Sequence, residues 1–278
     1  MLNKKISILI AVTFFLGLSV VVVEANHSWG KYHWDLSTAD TEVNPLKIGN
    51  NLTAVWASSL TGASADWNFS VLKNEIVGGG SDANCSPTSG RVEVCNAEYG
   101  DNNWLGIAQI WAYRGKDGHI AQGVVKLNDT YFNTSKYDTQ AWRNFVMCQE
   151  IGHEFGLDHQ DVTFSNTNLG TCMDYTSDPD GTVFTQFDNT HPNQHDLDEM
   201  TAIYAHLNGT TDGGSGGSGP GSGNGKKPKK VGAGADIDLN DPSSWGQAIK
   251  QDAQGKNSLF RKDLGNGQVV ITHVFWTE

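Results

Sequence analysis

Positive charge is scarce in this sequence. Lys and Arg number 19 against 31 Asp and Glu, a formal net charge of −12 at pH 7. That balance argues against polyanionic partners, nucleic acid and anionic membrane surfaces included. No basic groove with interleaved aromatics occurs anywhere along the chain. Cysteine is sparse too, at four in 278 residues. Long apolar runs are limited to one near the N-terminus, and no second span follows it. What the chain does have is glycine, 32 residues, which points to loops and linkers, and nine Trp within a hydrophobic content of 38%. That is enough for one core of ordinary size plus an appendage.

The single apolar run, residues 6–23, follows Lys4 and Lys5 and leads into Val23-Glu24-Ala25, with small residues at the usual cleavage positions. The expectation is a signal peptide over residues 1–25, a secreted, extracellular product, and no membrane association after cleavage. The run is longer than most signal cores, which keeps an uncleaved anchor as the alternative. Four cysteines in an exported chain predict two disulfides, with three pairings open.

Residues 148–161 read Cys-Gln-Glu-Ile-Gly-His-Glu-Phe-Gly-Leu-Asp-His-Gln-Asp. On a helix, Gln149 and His153 stand one above the other on the same face, with Glu150 about 100° round the axis. From there a carboxylate reaches a water activated by a metal without binding the metal itself. Gly156 can take positive φ and end the helix, so the chain turns and brings His159 back to the same point. A hydrolytic zinc takes three protein ligands and keeps one position open.

This stretch resembles H-E-x-x-H-x-x-G-x-x-H, the zinc motif of the metzincin endopeptidases. Glu150, His153, Gly156 and His159 fall in register, and Gln149 stands where the first histidine belongs. Downstream, Thr171-Cys172-Met173-Asp174-Tyr175 resembles the Met-turn of that family. The resemblance covers residues 30–208. It implies an α+β fold with a mixed twisted sheet of about five strands, a metal-site helix, a Met-turn and a C-terminal helix. It further implies a monomeric zinc metalloendopeptidase acting on protein or peptide substrates. Zinc would be bound by His153, His159 and Gln149, with Glu150 as general base. Met173 would underlie the site and Tyr175 would assist at the metal or the oxyanion. The thiol latency switch of matrixins has no counterpart, since no cysteine lies between residues 26 and 45.

The substitution at Gln149 matters because a neutral amide oxygen is a weak, hard ligand for zinc, whereas imidazole suits it. The expectation is a weakened site, a site completed by another histidine, or no metal. His119, His191 and His195 are each read as structural or surface residues ahead of metal ligands, with His195 the first choice should one of them substitute, and His33 is read as a surface or packing residue. Two rival readings stand beside the peptidase. One is an inactive relative that binds peptides or cell-surface material, and the other keeps the metal as a structural staple. For the disulfides, Cys85 with Cys95 and Cys148 with Cys172 is the preferred pairing, the second tying the metal-site helix to the Met-turn. A Cys148 thiolate serving as the missing ligand is the lesser alternative, because it points off the ligand face.

Elsewhere, hydrophobic spacing predicts a strand over 32–36 and a helix over 52–67 capped by Asn51. Strands follow over 71–77, 91–96, 107–113 and 119–127. The metal-site helix should run from Asp138 or Thr139 to Phe155, and a last helix should span 196–207. Leu105-Gly106-Ile107-Ala108 resembles the edge strand on which matrixin-like enzymes bind substrate, with an ordinary sheet strand as the alternative. Asp178-Pro179-Asp180-Gly181 is a strong turn and only a weak sign of calcium. The expected domains are 26–208, a flexible Gly/Ser/Lys linker at 209–230, and a small β-hairpin module at 231–278. That module has its turn at Gly265-Asn266-Gly267, with a helical turn over 245–250. So short a segment should dock on the rest of the chain or on a partner.

Overall fold

The computed structural model describes residues 27–35, 45–81, 84–115, 118–205, 238–265 and 267–278. The expected signal peptide and the linker at 209–230 lie outside these residues. Among the described residues, no helix is long and apolar enough to cross a membrane.

The fold is α+β, built on one nine-stranded mixed sheet. Its strands are β1 (His33–Trp34), β2 (Leu46–Asn51), β3 (Asn74–Gly78), β4 (Arg91–Ala97), β5 (Trp104–Tyr113), β6 (His119–Asn128), β7 (Gln247–Gln251), β8 (Asn257–Gly265) and β9 (Gln268–Trp276). The order across the sheet is β3-β2-β4-β6-β5-β9-β8-β7, and β1 also pairs with β6. Pairs on the β3 side are parallel as far as β6, and from β6 onward they are antiparallel. The helices are α1 (Ala57–Trp67), the single turn α2 (Asp129–Phe132), α3 (Gln140–Glu154) and α4 (Gln194–Ile203).

Strand β5 is buried over nearly its whole length on both faces, as its almost unbroken apolar sequence requires. One face meets α3, which begins where Thr139 accepts a hydrogen bond from the Trp142 N–H and buries Trp142, Phe145, Val146 and Ile151. The opposite face carries a smaller cluster of Trp104, Ile107, Trp245, Phe260 and Val274. Asn193 and Asp196 close a capping box at the start of α4.

The structure departs from the sequence reading in several places. The sheet has nine strands, not about five. Strand β2 was hidden because Pro45 and Gly49-Asn50-Asn51 read as turn residues around only two apolar positions. Asn51 therefore ends a strand instead of capping α1, and its amide donates to Glu93. Residues 245–250 contain no helical turn. A 3-10 turn at Pro242–Ser244 precedes them, and Gln247–Gln251 is a strand. The C-terminal hairpin is present, and it docks on the rest of the chain: β9 lies antiparallel along β5, with His273 opposite Ala108 and Phe275 opposite Gly106. Strand β5 is consequently an interior strand, and the edge expected for substrate is occupied by the chain's own tail.

Candidate metal centre

Helix α3 ends at Glu154, and Gly156, at φ +104°, turns the chain out of it. Only glycine adopts that conformation without strain. A side chain there would also strike the Tyr32 carbonyl at 2.6 Å. The turn carries His159 back to His153, and their Nε2 atoms face each other 3.0 Å apart. His153 Nδ1 lies 2.8 Å from the Leu157 carbonyl. A carbonyl only accepts, so Nδ1 carries the proton and Nε2 presents its lone pair. Asp158 Oδ1 accepts a hydrogen bond from the His159 backbone N–H at 2.9 Å and sits 3.6 Å from its Nδ1, too far for a hydrogen bond to the ring.

The third member comes from the tail. His273 stacks on His153 with ring centroids 3.9 Å apart, and one ring nitrogen from each of His153, His159 and His273 lies within 4.8 Å of the others. Trp29 packs over the pair, 5.8 Å from His153 and 4.2 Å from His273 between ring centroids. Burial holds all three imidazoles below the usual histidine range, His153 at about 4. Burial thus favours the neutral imidazole, the form that binds metal.

Three histidine nitrogens could hold a metal ion here, and imidazole is a donor that suits zinc among other metals. Two nitrogens on a tetrahedral zinc, at 2.0–2.1 Å each, stand about 3.3 Å apart, close to the separation of the facing Nε2 atoms. Both ring nitrogens of His273 are buried without a hydrogen-bond partner. So are both carboxylate oxygens of Glu150, both amide atoms of Gln149 and the Tyr175 hydroxyl. Polar atoms left in this state are rare in folded proteins, and an ion or a catalytic role is a common reason.

Glu150 projects from α3 toward β5. A Cβ on Gly106 would meet its Oε1 at 2.4 Å, so glycine is what leaves room for the carboxylate. Burial raises the Glu150 pKa well above the usual carboxylate range. One turn on, Glu154 is cradled in the same way by Gly123 on β6, its pKa raised first by burial and then by Glu150. Sequence reasoning passed over Glu154. Gln149 is fully buried, on the same helical face as His153.

The segment 171–175 packs against the helix. A Cβ on Gly152 would stand 2.7 Å from Met173 Sδ, and Cys148–Cys172 joins the two elements covalently. The other disulfide is Cys85–Cys95. Both preferred pairings are present, which removes the Cys148 thiolate as a ligand. The Tyr175 ring lies 4.6 Å from His159 and 4.8 Å from Phe275, and burial raises its hydroxyl pKa.

Of the substitute histidines weighed from sequence, His195 stacks on His27, His191 pairs with Asp66, and His119 packs on His33 and faces Asp35. His273 joins the cluster instead. Its one signal in the sequence was position: it falls between Ile271 and Phe275 on the inward face of an alternating strand. Asp178 accepts backbone N–H groups from Val183 and Phe184, and thereby closes its own loop. Comparison with known proteins gives no match, neither to a family model nor to a curated sequence.

Proposed function

We propose that this chain is a secreted, zinc-dependent endopeptidase. The observation that carries the reading is the meeting of the His153 and His159 Nε2 atoms at 3.0 Å, with Glu150 buried on the same helix. His153, His159 and His273 would hold the metal, and Gln149 stands on the same helical face as His153. Zinc, when bound, would polarise the scissile carbonyl and make water a nucleophile at neutral pH.

The remaining work falls to the protein. Glu150 takes a proton from the attacking water and returns it to the leaving amine. The Tyr175 hydroxyl, without a partner in the resting site, donates to the oxyanion. The disulfide and Met173 hold the helix and the following loop in one arrangement.

Hydrolysis of an unstructured peptide by the purified chain, with Glu150→Ala as control, tests this. Cleavage that needs zinc and disappears in the control supports the peptidase. Stoichiometric zinc with no cleavage under any condition overturns it in favour of a structural staple. The enclosure of the site favours that second reading: Glu150, His153 and His273 are each at most 1% exposed.

A further inference from the structure

Strand β5 has one side to offer an extended peptide, and the chain fills it. From Trp104 to Tyr113, β5 is paired with β9 in antiparallel register. Ile271, His273 and Phe275 alternate onto the α3 face. Ile271 enters the main core, His273 enters the histidine cluster, and Phe275 lies 5.5 Å from Phe145 and 5.9 Å from Phe164 between ring centroids. Backbone pairing along the strand, with every second side chain in a pocket, is how a sheet edge holds a peptide.

What remains open beside the cluster is a cleft of about 290 Å³ touching His159 and His273. The Asp158–Lys250 ion pair lies at this cleft, between the His159 loop and the tail strands. Small solutes can enter there. A peptide of even five residues, about 17 Å when extended, has no place along β5.

We infer that residues 238–278 are a built-in occupant of the peptide groove: β9 lies where an extended substrate would, His273 fills a metal position, and proteolysis requires the segment to leave β5. This rests on the peptidase reading. With His273 withdrawn, His153, His159 and the buried Gln149 are the ligands that remain, and a coordination position is freed for reaction. A glutamine at position 149 thereby becomes intelligible, since a third strong ligand on α3 would make His273 dispensable.

Two measurements on the full chain test this. The first is hydrogen exchange of the β9 amides with and without zinc. Zinc is expected to slow exchange over residues 268–276 by about tenfold or more, and to lose that effect in His273→Ala. The second uses a site-specific protease sequence inserted between Gly217 and Ser218. Cutting followed by dilution is expected to raise peptide cleavage about tenfold or more, because the tether's high effective concentration is lost. A peptide of residues 257–278 should then reverse the gain.

Zinc protection of β9 that persists in His273→Ala overturns the inference, as does an intact chain that cleaves as fast as the cut one. In both cases the peptidase reading survives. Zinc protection that depends on His273, with no cleavage from a cut chain that has shed its tail, overturns the peptidase and the inference together, leaving the staple. Absence of zinc binding overturns all three.

Discussion

His273 stacks on His153 at 3.9 Å between ring centroids, their planes inclined by 11°. The last strand of the chain and the end of α3 therefore share one buried site. Imidazoles pressed together with both His273 nitrogens left unpaired are costly to bury. A cation bound among them would offset that cost.

The first consequence concerns stability. Zinc at about 1,000 times its dissociation constant should stabilise the fold by about 4 kcal/mol, seen as a rise in melting temperature by calorimetry. His159→Ala should abolish most of that rise. A melting temperature indifferent to zinc would contradict the assignment.

Gln149→His should tighten zinc by about tenfold, since imidazole is the better ligand from the same helical face. Competition with a chromophoric chelator measures this. If the substitution weakens zinc, the glutamine is an adapted ligand and the account of a compromised position fails.

Gly106→Ala places a methyl group 2.4 Å from Glu150 Oε1 and 2.7 Å from Val146 Cγ1. Overpacking of this kind costs about 1–3 kcal/mol, and the carboxylate must shift. Denaturant unfolding should show the loss, and peptide cleavage should fall further than stability alone explains. Unchanged cleavage would mean that Glu150 is not the base.

Replacing Cys148 and Cys172 together with Ser opens a loop closed across 24 residues, at a cost of about 3 kcal/mol. Zinc affinity should drop as well, because the Met173 segment is no longer fastened to α3. A variant that loses stability but keeps its zinc affinity would confine the disulfide to folding.

The site was partly legible from the chain. Local features were readable wherever the cause is local. Thr139 caps α3, Gly156 turns the chain out of it, and the offsets of Glu150, His153 and His159 follow from helix geometry. The cysteine pairing has no such local cause: spacing leaves three pairings open, and Cys148 with Cys172 was preferred only because, by the resemblance, it would tie the helix to the segment around Met173. His273 escaped because strand pairing between distant segments leaves no periodic mark that names the partner. Its register with Ala108 is set by packing along all of β5 and β9. Glu154 escaped for a related reason, since the space it needs is provided by Gly123 on another strand. The role of β5 changed with its neighbour: a sequence suited to an edge was also suited to an interior strand once the tail paired with it.

Metal analysis of the full-length protein, paired with X-ray absorption at the zinc edge, tests the central claim most directly. The account predicts stoichiometric zinc whose first shell contains three imidazoles, falling to two in His273→Ala. Protein without zinc, or a shell unchanged by His273→Ala, would contradict it.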